Sequence, residues 1–101
     1  MLVNVTSKNF SELIFGSKGP VLLHFTDDTD SSQMQEVYLN HFSREIPNIT
    51  IGRVNTRKDP SLAAMYGIQT TPAVKIFKKG RCVATASGLL DSVHLHQLMA
   101  K

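Results

Sequence analysis

Between Met65 and Gly80 the chain reads Met-Tyr-Gly-Ile-Gln-Thr-Thr-Pro-Ala-Val-Lys-Ile-Phe-Lys-Lys-Gly, and these sixteen residues restrict the possible folds more than any other stretch. A helix should end at Gly67, where a residue that tolerates positive φ is favoured. Polar Gln69, Thr70 and Thr71 lead into Pro72, and the residue before a proline is biased towards extended backbone. Ala73 to Phe77 is an apolar, β-rich run, and Lys78-Lys79-Gly80 reads as the turn of a hairpin returning through Arg81 to Ala86.

The rest of the chain supplies helices and further strands. Leu2 to Val5 reads as a short strand. Ser7 is positioned to cap a first helix whose Phe10, Leu13 and Ile14 share a face. Val21-Leu-Leu-His-Phe25 is nearly continuous apolar sequence, as expected inside a parallel sheet. Asp30 is expected to cap a long second helix, with Gln33 completing an approximate capping box. Met34, Val37, Tyr38 and Phe42, beside His41, fall at helical spacing and are expected to be its buried stripe. Pro47 closes it. A third strand runs from Ile49 to Val54. Asp59-Pro60 marks a third helix with Leu62, Met65 and Tyr66 inward, and Asp91 caps a fourth carrying Leu95, Leu98 and Met99. The order is βαβαβαββα, which right-handed crossovers turn into a mixed sheet covered on both faces.

Composition narrows function. A chain of 101 residues, 42% hydrophobic and 19% charged, is expected to form a single domain over residues 1–101. The net charge of +3 comes from scattered lysines and arginines that are not interleaved with aromatics, so no nucleic-acid partner is expected. No apolar run approaches the roughly 20 residues that span a bilayer, so no membrane partner is expected either. The first residues lack the basic and apolar regions of a signal peptide, and the single cysteine suits a reducing compartment; a cytoplasmic location is the expectation.

The segment Tyr66-Gly-Ile-Gln-Thr-Thr-Pro72, the following strand and Lys79-Gly80 resemble the cis-proline loop of the thioredoxin family. Val21 to Phe25 is similar to that family's second strand, which ends Val-Asp-Phe. Asn55 to Pro60 resembles its Asn-x-Asp-x-x-Pro segment, and Gly88-Leu-Leu-Asp-Ser resembles the approach to its last helix. The resemblance spans Leu2 to Met99. It implies a three-layer α/β/α thioredoxin fold with a central five-stranded mixed sheet and a cis bond at Thr71–Pro72.

The departures from the family bear on function. Counting from Phe25, the family's Trp-Cys-x-x-Cys falls on Thr29-Asp30-Ser31-Ser32-Gln33, so Asp30 and Gln33 stand where the cysteines would be, and Thr26 and Thr29 replace tryptophans. Thiol–disulfide exchange within one chain needs an attacking thiolate and a resolving thiol. One cysteine cannot provide both. The expectation is therefore a redox-inactive, non-enzymatic binding module with no cofactor and no metal, whose partner is a protein or an extended peptide. By resemblance the groove comprises Asp30, Ser31, Ser32, Gln33, Thr70, Thr71, Pro72, Gly88 and Leu89, with Leu89 as an exposed apolar anchor and the backbone beside Thr71 pairing with an added strand.

Other polar residues each admit an ordinary reading. Asp27, Asp28 and Asp30 make an acidic loop at a helix start, serving as caps or as an acidic recognition surface. His24 occupies the place of the family's buried aspartate and Arg53 that of its lysine. Burial and a neighbouring cation should keep His24 uncharged, with both ring nitrogens hydrogen-bonded. Lys75, in mid-strand, should extend its ammonium to the sheet margin. Cys82 reads as a small strand residue. The alternative function is a redox sensor, a glutathione-linked protein or an atypical enzyme using Cys82 or the Ser31 and Ser32 hydroxyls. His94 and His96, two apart on a helix, point in different directions and do not form a metal pair.

Overall fold

The computed structural model describes residues 2–101, the Asp30 side chain excepted. Five strands and four helices follow in the order β1 (Leu2–Asn4), α1 (Phe10–Gly16), β2 (Val21–Thr26), α2 (Asp30–Ser43), β3 (Thr50–Asn55), α3 (Pro60–Met65), β4 (Ala73–Lys78), β5 (Arg81–Ser87) and α4 (Ser92–Met99). The sheet order is β1-β3-β2-β4-β5. Strands β1, β3 and β2 are mutually parallel; β4 runs antiparallel to both β2 and β5.

β2 is central, and every one of its residues is buried. Its alternation divides the core in two. Val21, Leu23 and Phe25 point to one face with Ile14 of α1 and Leu62 of α3. Leu22 points to the other, with Leu39 and Phe42 of α2 and Leu95 and Met99 of α4. Both faces being covered explains why β2 is apolar almost throughout. Gly52 in β3 is needed by packing: a Cβ there would lie 2.5 Å from Val5 Cγ2 and 3.0 Å from Leu23 Cδ2.

Several local signals act as their chemistry dictates. Asp59 accepts from the Leu62 amide and Pro60 opens α3. Asp91 accepts from the His94 amide at the start of α4. Lys79 and Gly80 both take positive φ, 54° and 78°, as a two-residue type I′ hairpin turn requires.

Other expectations are corrected. Ser7 does not cap α1: its amide donates to Asp59 Oδ2, and Asn9 occupies the cap position. The cap of α2 lies one residue earlier than expected, at Thr29, whose hydroxyl accepts from the Ser32 amide; the Asp30 side chain lies outside the described residues. Gln33 closes no capping box, reaching back instead to the Asp28 carbonyl. The buried stripe of α2 is rotated too. Met34 and Val37 are 48% and 49% exposed, whereas Ser32, Gln35, Leu39 and Phe42 face the sheet. Met65 of α3 likewise points outward, and Leu62 and Ala63 are the buried pair. Lys75 donates to Thr85 Oγ1 at 3.1 Å across the β4–β5 pair, which places its ammonium at the margin. No described helix is long and apolar enough to cross a membrane.

Candidate functional site

Three loops meet at one end of the sheet. The first follows β2, where Asp27 lies before the start of α2. Its Oδ1 accepts from the Thr29 amide at 3.1 Å and from Ser32 Oγ at 3.2 Å. The Thr71 hydroxyl, then Thr29, hold this carboxyl well below the usual carboxylate range, although partial desolvation works against them. Asp27 thereby braces the cap of α2 through Thr29 and Ser32. Asp28 has a φ of 67°, and Asn55 Nδ2 donates to its Oδ2 at 2.8 Å.

The second loop carries Thr70, exposed, Thr71, half-buried, and Pro72, buried; the Thr71–Pro72 bond is cis. No described group hydrogen-bonds the backbone N–H or C=O of Thr71. The third loop begins at Gly88, with φ of 88°, whose amide donates to the Pro72 carbonyl at 2.8 Å. Leu89 follows, 48% exposed. Leu90 is clamped from below: Gln35 Nε2 donates to its carbonyl at 2.9 Å, and its amide donates to Gln35 Oε1 at 2.7 Å. Gln35 is itself fully buried. One helix side chain therefore satisfies both backbone groups of a loop residue 55 positions away.

The structure thus brings Ser31, Gln33, Thr70, Thr71, Gly88 and Leu89 to one accessible region. Ser32 and Pro72, expected on the groove surface, are buried and act as positioning groups. Ser32 spends its hydroxyl on Asp27, and Pro72 spends its carbonyl on Gly88. Sequence reading missed Gln35 as the clamp and Asp27 as the brace of the α2 cap. Nothing in the Met34-Gln-Glu-Val37 stretch set Gln35 apart from its polar neighbour Glu36.

His24 and Arg53 are aligned neighbours on β2 and β3. Burial, with the Arg53 charge adding to it, lowers His24 from 6.5 to about 4, so the imidazole is neutral at physiological pH. Among the described residues neither ring nitrogen has a partner, which corrects the expectation that both would be hydrogen-bonded. Arg53 turns away from His24 in its pairing: Nη2 meets Glu36 of α2 and Nη1 donates to Asn4 Oδ1 at 3.4 Å.

Cys82 is exposed at the opposite end of β5 from Gly88. Ser87 lies five positions further along the strand, or about 16 Å at the rise of an extended chain. Its Sγ lies 3.7 Å from Thr85 Oγ1, the hydroxyl that Lys75 Nζ contacts. Lys75 Nζ also lies 5.6 Å from the Tyr66 ring centre, and after burial the nearby thiol is the second cause that raises the Tyr66 hydroxyl. A thiol, a hydroxyl, an ammonium and a phenol thus lie along one chain of contacts.

The thioredoxin family model matches residues 1–101. The chain belongs to the thioredoxin family. Among its relatives, a thioredoxin of Chlamydia pneumoniae is 30% identical, the match covering 100% of this chain and 98% of that protein. A thioredoxin-like protein of Synechocystis is 30% identical, covering 96% and 94%. A mutant thioredoxin from Halobacterium salinarum superposes with a TM-score of 0.88 at 20% identity, over 98% of this chain and 88% of that one. These findings correct the expectation of a non-enzymatic protein. Relatives named thioredoxin, an oxidoreductase, at identities from 24% to 30% point towards redox enzyme activity. Intrachain dithiol chemistry still requires two cysteines, and Cys82 is the single one present.

Proposed function

We propose that this thioredoxin-family domain captures an extended segment of a protein partner at the cis-proline loop. The observation that carries the reading is the Thr71 backbone, unpaired among the described residues, in an accessible loop next to the one that carries the half-exposed Leu89. An extended peptide can add to such backbone as a strand, while an apolar side chain of the peptide packs on Leu89. The loops are held in advance by Gly88 on Pro72 and Gln35 on Leu90, which reduces the ordering cost of binding. Thr71→Arg and Leu89→Asp each weaken binding to a library of immobilised extended peptides by about tenfold or more, equivalent to about 1.4 kcal/mol, with thermal unfolding unchanged. Binding that is equally tight in both variants excludes the groove as the interface.

A second reading is favoured by the family's redox character together with the surroundings of Cys82. A Cys82 thiolate attacks one sulfur of oxidised glutathione, forming a protein–glutathione disulfide and releasing glutathione thiolate; a second glutathione then restores the thiol and carries away the disulfide. Lys75 Nζ donates to Thr85 Oγ1, and that hydroxyl lies 3.7 Å from Cys82 Sγ, so a cation and a hydroxyl stand beside the attacking sulfur. Intact-mass analysis after exposure to oxidised glutathione shows one adduct on the native protein and none on Cys82→Ser. Absence of the adduct on the native protein removes this reading and leaves peptide capture unaffected.

A further inference from the structure

Next to the peptide-docking region, and sharing with it the Asp28 loop, a cavity of about 330 Å³ opens past the carboxyl ends of β1 and β3. Crevices at the carboxyl ends of parallel strands are where open α/β sheets commonly hold ligands, and this volume is at the lower end for a small-molecule site. Its walls include Asn4, Asp28, Arg53, Asn55, Lys58 and Asp59.

The hydrogen bonds of these walls show which valences remain. Asp59 is occupied, its oxygens accepting from the Ser61 hydroxyl and the Ser7 and Leu62 amides. Asn55 Oδ1 takes the Arg57 and Lys58 amides, and its Nδ2 holds Asp28 Oδ2. Asp28 Oδ1 remains available as an acceptor among the described residues. On the donor side, Lys58 Nζ forms no ion pair among the described residues, and Arg53 Nε is buried without a protein partner. Asn4 uses its Oδ1 on Arg53, which leaves its amide nitrogen.

The cavity lining therefore holds donors that lack acceptors and one acceptor that lacks a donor. A lone anion would face Asp28 and Asp59, and a lone cation would face Arg53 and Lys58. We propose that this cavity binds a small zwitterion of the α-amino acid class, its carboxylate towards Lys58 and Asn4 and its ammonium towards Asp28. The frame is preformed, since Asp28 is held by Asn55 and Arg53 by Glu36.

The test is a titration of the full chain with L-alanine, followed through backbone amide shifts, with acetate and ethylamine as single-charge probes. L-alanine produces saturable shifts centred on Asn4, Asp28 and Lys58, and each single-charge probe binds at least about tenfold more weakly, the loss expected for about 1.4 kcal/mol. Lys58 is exposed, so Lys58→Met keeps the fold, and it weakens L-alanine by about fivefold or more. Shifts that stay linear with concentration, equal binding of acetate, or undiminished binding to Lys58→Met each overturn the proposal. Peptide capture at Thr71 is unaffected by any of these results, because the two regions are read by separate amides.

Discussion

Gln35→Leu is expected to lower the unfolding free energy by about 2–3 kcal/mol and to release the loop at Leu90, although leucine is apolar and close in size. In the native chain the Gln35 amide takes both backbone groups of Leu90. Leucine leaves that N–H and C=O without partners, at roughly 1–3 kcal/mol for each group kept from water, less about 1 kcal/mol regained from apolar burial. For a domain of this size the corresponding fall in Tm is about 10 °C. Denaturant titration measures the loss, and hydrogen exchange at the Leu90 amide reports the release of the loop. Peptide capture should weaken as well, because Leu89 is adjacent to the freed residue. A Gln35→Leu protein as stable as the parent, with Leu90 equally protected, would refute the clamp.

That clamp also marks the limit of what the residues alone reveal. Apolar periodicity assigned the inner face of α2 to Met34 and Val37, because a glutamine counts as polar in such a pattern. The helix instead buries Gln35 with Leu39 and Phe42, and Met34 and Val37 point outward. What decided the rotation was a backbone partner 55 residues away, which no local window contains. Met65 failed for a related reason: in a helix as short as Pro60–Met65, periodicity averages over less than two turns.

Signals that act through neighbours in sequence were readable. Asp59-Pro60, Asp91 and Lys79-Gly80 each fix backbone within a few residues, and each does what its chemistry dictates. The thioredoxin architecture was legible from motif order. The candidate site was legible as a set of loops, but not in its internal wiring. Ser32 looked like a surface hydroxyl until Asp27 was found to bind it, and Glu36 gave no sign of its Arg53 partner on another element.

The His24–Arg53 adjacency was readable, because register follows once the strands are aligned, and it leads to a pH dependence. The protein is expected to lose stability as pH falls from about 6.5 to about 4 because of His24 alone. In the unfolded chain this imidazole titrates near 6.5; in the folded protein, burial first and the Arg53 charge second lower it to about 4. Between those values the unfolded state binds the extra proton and the folded state does not, so stability rises with pH across the window. At about 1.4 kcal/mol per pH unit, the full loss at the acid end is about 3 kcal/mol. The lowered carboxyls of Asp27, Asp59 and Asp91 act in a separate window, below their ordinary value of 3.8. Denaturant unfolding from pH 7 to pH 4.5 therefore isolates the histidine. His24→Leu removes the titration and two buried nitrogens without a partner among the described residues, so it should match or exceed the parent at pH 7, with a gap widening by about 2–3 kcal/mol towards pH 4.5. The exposed His41, His94 and His96 are common to both proteins and cancel in the difference. Parallel stability curves for the two proteins would mean that His24 keeps its ordinary affinity for protons, and with it a route to water that the packed face of β2 does not provide.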